Sequence, residues 1–594
     1  MTDTPRPSRP DPADPPTRSG VHGLFLGEPA GAPAPAPGFM RWANGWRATV
    51  LLVLGVTVLR LVYLAWLCPY SLVEDEAHYW EWSRHLDLSY YSKGPGIAWT
   101  IALTTELFGD TEFGVRCAAA VFGGVLAGIV AWMGWLVSRD RRAAFIAAVI
   151  VLLTPAYMGV SILMTIDGPF LACWAAASWG AFAALRRGSR AGWVLLGGAI
   201  AIGFLYKYTI LLIVPGIVLY ALWHRGRLRV APRVWAWAGL GLGLALLGLL
   251  PVAIWNAQHD WVTIKHLLGH LGMKGGDLAP RAPGTSKPWS PIWTLEYLGV
   301  QLAMGGAAPI VAFGTMLHLR KHRLVSDATW SDLMLLLLVG LPVLVFYFAV
   351  SFFTRPEGNW PIAAYVTLAP IAAIGFVDGL SRHRTQRLAW LALPKPRPRA
   401  GVVRRAPETP IQVLWHVVIG TGVVVALVLP RMDLWARLPY ADRVLPVGRL
   451  TRAEPMAEAV RERLKIMTRS RSREPFIMTD HYGRASLLAF YLPGHPVVYC
   501  SSAHMPAMPE RGLAGGRASQ YDQWPATSIA DPGTHAELLG RPGVLVGGSL
   551  PQWETAFAQV RELERHPRRD IPPILVGTAY RGFATSRPEP DPEP

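Results

Sequence analysis

Between residues 47 and 430 the chain returns repeatedly to apolar runs long enough to cross a bilayer, and no other feature restricts its fold so tightly. A hydrocarbon core about 30 Å thick asks for roughly 20 apolar residues in a helix. Runs near that length lie at 47–68, 113–137, 142–160, 169–185, 191–206, 209–223, 235–256, 293–317, 330–353, 360–378 and 411–430, which predicts about eleven transmembrane helices. Backbone groups in lipid must find their hydrogen bonds within the segment, so the runs are read as helices of a polytopic bundle. The run 96–109 is shorter than a span and is read as an interfacial or re-entrant helix.

Charge sets the orientation. The 594 residues carry 57 Lys and Arg against 40 Asp and Glu, a formal +17. Cytoplasmic loops collect such an excess, so it does not require nucleic acid as a partner. The basic clusters "SRDRR", "RRGSR", "HRGRLRVAPR", "RKHR" and the long 381–405 segment all fall on one side under this count, and that side is read as cytoplasmic. The loops 69–112, 161–169, 206–209, 257–292 and 353–361 then face outward. Residues 1–39, rich in Pro, Ala, Asp and Arg, cannot bury enough surface to offset ordering and are expected to form a disordered cytoplasmic tail.

After Pro430 the pattern changes. "EPFIMTD", "HPVVYC" and "PGVLVGG" have the look of strands, "GRASLLAFYL" and "THAELLG" of helices. The expected organisation is a transmembrane domain over 45–430, a small soluble α/β domain over 431–585 on the outer side, and a disordered tail over 586–594. The four cysteines, Cys68, Cys117, Cys173 and Cys500, have no CxxC spacing and suggest neither a disulfide framework nor a zinc site.

The outward loops carry unusual polar residues. The first holds Glu74, Asp75 and Glu76 and then Lys93, the second Asp167, the short turn Lys207 and Tyr208, and the late loop Arg355, Glu357 and Asn359. Singly, each has a plainer explanation. Lysine and arginine at helix ends snorkel to headgroups, Asp167 before Gly-Pro suits a helix cap, and the Trp and Tyr of "DEAHYWEW" suit an interfacial helix. Headgroup position does not explain adjacent carboxylates, which need a partner. On a helix Asp75 shares a face with Tyr79 and Trp82, aiming an acid and an aromatic wall at one cavity. Lys93, Lys207 and Arg355 can gather around an anion such as a phosphate. An acid beside a phosphate clamp points to group transfer. No Gly-rich loop opens a helix to cradle a nucleotide.

The stretches "DEAHYWEWSRHLDLSYYSKGPGIAW", "FGDTEFGVR", "TIDGPFLACW", "GFLYKYTILLIVPG", "NAQHDW" and "RPEGNWPIAAY" resemble the bacterial branch of glycosyltransferase family 39, related to protein mannosyltransferases and the lipid A aminoarabinose transferase. The likeness runs over about residues 45–380, and "GRASQYDQW" (516–524) resembles the tail of these bacterial members. It implies a GT-C fold in the bacterial inner membrane, with juxtamembrane helices, an outer α/β domain and a sugar donor carried on polyprenyl phosphate. It also implies Asp75, with Glu76 beside it, as the catalytic carboxylate. Lys93, Lys207 and Arg355 would bind the lipid phosphate, and Asp167, Tyr79, Tyr208, Glu357 and Asn359 the substrate. The chain has "SKGPG" where aminoarabinose transferases more often have an "EKPP" pattern, so their sugar is not assumed.

The expected reaction is an inverting displacement on the outer face. An acceptor hydroxyl of a glycolipid, polysaccharide or protein loses its proton to Asp75 while polyprenyl phosphate leaves towards the cations. No metal is expected to be obligatory, although Glu74, Asp75, Glu76 and Asp167 supply oxygen ligands that suit Mg²⁺ or Mn²⁺. His266 and His270 have i,i+4 spacing without an evident third zinc ligand. A transporter or flippase of lipid-linked sugars is the alternative, disfavoured because the charges gather at one face and no repeated halves are seen.

Overall fold

Helices form at every apolar run, but several runs are broken by their own glycines and prolines. The computed structural model describes residues 45–584 apart from 225–231, 271, 272, 274, 278–289, 393–409, 441–444, 446, 471, 472 and 564. The two expected tails, 1–39 and 586–594, lie outside the described residues. Seven described helices are long and apolar enough to cross a membrane, among them Trp46–Trp66, Glu112–Ser138, Asp167–Arg187 and Asp327–Val350. The helices Pro291–Gly305 and Ala308–His322 would make an eighth, but they meet at 93°.

Eleven straight crossings are therefore not observed among the described residues. The run 293–317 bends where Gly306 takes φ +61 and Pro309 opens the next helix. The run 142–160 divides into Arg141–Leu153 and Pro155–Val160, because Thr154, preceding a proline, is pushed to extended backbone (φ −70, ψ 122). Arg190–Tyr206 and Tyr208–Trp223 are apolar but short. Hydropathy alone counts residues and misses such breaks. The run 96–109 forms the helix Gly96–Phe108, short as expected.

The C-terminal domain, expected on the outer side and called the outer domain below, holds a five-stranded sheet, β1 (Phe476–Thr479), β2 (Tyr499–Cys500), β3 (Gly543–Val546), β4 (Phe557–Glu562) and β5 (Ile574–Tyr580), in the order β2-β1-β3-β5-β4. β1 runs parallel to β2 and β3, while β5 is antiparallel to β3 and β4. The fully buried β1 and β3 are the continuous apolar stretches seen in the sequence. The edge strand β4, half polar, gives no comparable signal.

This domain rests on the first outer loop. Its helix Tyr482–Tyr491 packs along the loop helix Glu74–Ser83, with the Trp80 ring against Phe490. The Tyr491 hydroxyl donates to Glu112 and accepts from the Leu72 N–H at 2.7 Å. Arg452 reaches Glu74 at 2.6 Å. His78 bonds Ser486, which in turn bonds the Tyr521 hydroxyl.

Candidate active site

The helix Glu74–Ser83 begins with three acids, which suits the positive end of a helix dipole. Their partners differ completely. Glu74 is paired with Arg452 of the outer domain. Glu76 is wholly buried. Its Oε1 accepts from Arg116 Nε and the Met164 N–H, both at 2.8 Å, and its Oε2 from Arg116 Nη2 at 2.6 Å and the Val73 N–H at 3.0 Å. With both oxygens doubly satisfied, Glu76 has no capacity left for chemistry; it ties the loop helix to the helix Glu112–Ser138. The expectation that Glu76 shares catalysis with Asp75 is corrected accordingly.

Asp75 has no ion pair or hydrogen bond among the described side chains. It keeps solvent-exposed surface although protein surrounds it closely. That burial raises its pKa above the ordinary carboxylate value; Lys93 opposes the shift, and Glu74, Glu76 and Asp167 add to it. Tyr79, one turn on, is buried and influenced by both Asp75 and Asp167.

Asp167 begins the helix Asp167–Arg187 and is 2% exposed. Lys207 Nζ donates to its Oδ1 at 2.7 Å and Asn359 Nδ2 to its Oδ2 at 2.7 Å, so residues from three loops meet on one carboxylate. The Lys207 ammonium also stands 5.3 Å from the Phe170 ring centre. Lys93 arrives by a different device. A Cβ on Gly94 would lie 2.4 Å from the Leu205 carbonyl oxygen, so only glycine lets the "SKGPG" turn press against the end of the helix Arg190–Tyr206, two residues before Lys207. Lys93 is half-buried with no ion pair among the described residues. Burial first and then Lys207 lower its pKa to about 8, with Asp75 and Asp167 opposing.

Asp75, Lys93, Asp167, Lys207, Tyr79 and Asn359 thus share one region, and Tyr208 joins its edge with a buried hydroxyl towards Ser89. Arg355 does not converge with Lys93 and Lys207: it is exposed and paired with Glu296. Glu357 is exposed as well. Their tripeptide lies at the rim of a loop whose inward residue is Asn359. Of the alternative metal ligands, Glu74, Glu76 and Asp167 are each held by a cation, and among the described residues no three acids, histidines or cysteines gather as a metal site.

Sequence reasoning missed the contribution of the outer domain. Tyr482 stacks on His481, lies 4.5 Å from His78 ring to ring, and feels the charge of Asp75 and Glu74. Described residues of the loop that follows Gln258 also come close. There His266 Nδ1 bonds Asp277 Oδ2 at 2.8 Å, and that oxygen accepts from the Tyr91 hydroxyl. His270 meets His266 at 3.1 Å, its pKa lowered to about 4 by burial and then by His266 and Lys93. No local signal marks the approach of Tyr482 to His78 or of Asp277 to Tyr91, which join segments far apart in the chain.

Residues 92–255, the stretch carrying Lys93, Asp167 and Lys207, match the family described as dolichyl-phosphate-mannose-protein mannosyltransferase. The chain is 28% identical over 330 residues to the lipid A galacturonosyltransferase RgtD of Rhizobium johnstonii, covering 54% of this chain and 63% of that protein. It is 28% identical over 372 residues to the undecaprenyl phosphate-alpha-4-amino-4-deoxy-L-arabinose arabinosyl transferase of Enterobacter sp. (strain 638), covering 57% and 60%. Over these stretches the chain is similar to glycosyltransferases of the GT-C, family 39-like kind. Its fold is similar to the crystal structure of ArnT from Cupriavidus metallidurans bound to undecaprenyl phosphate, with a TM-score of 0.57 at 15% identity, over 92% of this chain and 100% of that one. The apo form gives 0.56 at 16% identity over 89% and 98%. The GT-C architecture therefore extends through the outer domain, whereas the matches to the two curated relatives span about three-fifths of those proteins' length.

Proposed function

We propose that the chain is an inner-membrane glycosyltransferase that moves a sugar from a polyprenyl-phosphate donor to an acceptor hydroxyl, on the outer face of the membrane. The observation that carries this reading is that Asp75 and Lys93, which feel each other's charge, have no ion pair among the described residues, while the neighbouring Glu74, Glu76, Asp167 and Lys207 are each paired. Its donor class agrees with the undecaprenyl phosphate named for the Enterobacter relative and the ArnT crystal structure, and lipid A, named for RgtD, is the first acceptor to try.

In this reading the acceptor oxygen attacks the anomeric carbon, the bond from that carbon to the phosphate oxygen breaks, and polyprenyl phosphate leaves with the electron pair. The acceptor proton goes to Asp75, whose raised pKa suits it to take a proton. Lys93, beside Lys207, meets the negative charge that develops on the phosphate. A single displacement inverts the configuration. Lys207 and Asn359 hold Asp167 and define the wall against which the phosphate sits. No divalent metal is required in this scheme.

The test uses purified full-length protein in detergent with an undecaprenyl-phosphate-linked sugar and lipid A. Free undecaprenyl phosphate should appear in step with glycosylated acceptor. Movement of intact lipid-linked sugar across vesicle bilayers with no such cleavage would instead make the chain a flippase.

A further inference from the structure

The turn that carries Lys93 is fastened from three directions. Within itself, the Lys93 carbonyl accepts from the Tyr90 N–H at 3.0 Å and the Ser89 hydroxyl at 3.2 Å. The wholly buried Tyr90 donates its hydroxyl to the Trp82 and His85 carbonyls at the end of the acid-bearing helix. From the outer loop, the buried Thr263 hydroxyl donates to the Tyr90 carbonyl at 3.1 Å, and Asp277 accepts from the Tyr91 hydroxyl. From the outer domain comes one bond. Gln520, 1% exposed, accepts the Tyr91 N–H on its Oε1 at 2.6 Å.

That last bond is the only direct hydrogen bond between the outer domain and the Lys93 turn among the described residues. Gln520 is itself fixed: it opens a short 3₁₀ turn whose ends are locked by Ser519 and Asp522, the Ser519 N–H donating to Asp522 Oδ2 at 2.8 Å. A rigid acceptor in the outer domain therefore meets a backbone N–H two residues before the half-buried cation. A buried N–H deprived of its partner costs free energy, so the turn must shift when the acceptor is withdrawn.

We propose that Gln520 is a positioning residue for the donor phosphate: by accepting the Tyr91 N–H it fixes the turn that aims Lys93, which makes the outer domain part of the donor-binding apparatus. This rests on the glycosyltransferase reading above. Gln520 touches no substrate and acts through Tyr91. The other docking contacts, such as Arg84 Nη2 to the His495 carbonyl at 3.2 Å, hold the domain without bearing on the turn.

The experiment measures binding of undecaprenyl phosphate alone to full-length protein in detergent, with the apparent melting temperature recorded for each variant. Gln520→Ala should weaken binding about five- to ten-fold, the scale of one lost hydrogen bond at a neutral partner. Gln520→Glu keeps an acceptor oxygen and should restore binding to within about two-fold by the same argument. Arg84→Ala, which loosens docking elsewhere, should leave binding unchanged. Should Gln520→Ala not fold, Gln520→Asn, which withdraws the acceptor by one methylene, takes its place with the same expectation. Unchanged binding in Gln520→Ala, an equal loss in Arg84→Ala, or no rescue by Gln520→Glu would overturn the proposal. If Lys93→Met also leaves binding unchanged, the reading of the site as a phosphate clamp fails with it; if Lys93→Met weakens binding and Gln520→Ala does not, only the role of Gln520 is lost.

Discussion

Replacing Glu76 with glutamine separates a structural acid from a chemical one that stands next to it in sequence. The Glu76 and Arg116 side chains are 0% and 1% exposed, and the pair is bidentate. Arg116 also donates to the carbonyls of Tyr70 and Ser71, both at 2.8 Å, so it cannot turn away to solvent when its carboxylate is removed. Glutamine keeps the shape but leaves the guanidinium buried without a counter-charge, and turns an NH₂ towards donors. Breaking a buried pair by removing one partner costs about 3–5 kcal/mol. The assay is thermal unfolding in detergent followed by tryptophan fluorescence, with turnover measured well below the transition. Glu76→Gln should melt markedly lower yet turn over while folded. The double variant Glu76→Gln/Arg116→Met should recover part of the loss, since it removes the orphaned charge. A single variant that melts like the wild type but does not turn over would refute this reasoning and return Glu76 to the chemistry.

Three further outcomes follow from the site. In the proposed clamp Lys93, its pKa lowered to about 8 by burial, would bind phosphate only when protonated. Affinity for undecaprenyl phosphate should be full below pH 8 and weaken about tenfold per pH unit above it, and Lys93→Arg should abolish this alkaline limb, because a guanidinium stays charged. An affinity flat to pH 10 would remove Lys93 from the clamp. Arg355→Ala should alter turnover by less than about two-fold, as exposed ion pairs contribute little, whereas a large loss would bring the late loop's arginine back to the donor. Exhaustive chelation should leave turnover intact, and recovery only on adding Mg²⁺ or Mn²⁺ would require an ion in the site.

Much of the bundle was legible because burial in lipid demands apolar runs, and the acids and lysines of separate loops stood out because lipid gives such residues no partner. Those same rules do not say which acid is satisfied. Glu74, Asp75 and Glu76 look equivalent in the sequence, and only the arrival of Arg452 and Arg116 from distant segments distinguishes them. Arg116, within the first turns of an apolar helix, reads as an interfacial arginine until its buried partner is seen. The bend at Gly306 had a local cue in the Gly-Gly and the proline that follow Met304, but a hydropathy count passes over it. Gln520 lay within the stretch "GRASQYDQW", yet nothing local tied it to Tyr91, since a side-chain amide on a backbone N–H across more than four hundred residues leaves no periodicity.

The most direct measurement is turnover and donor binding by Asp75→Asn, a substitution that keeps the shape of the one acid in the cluster without a partner. The account predicts a loss of turnover of at least about 10²-fold, with undecaprenyl phosphate still bound and the melting temperature unchanged. Near-normal turnover in the folded asparagine variant would contradict it.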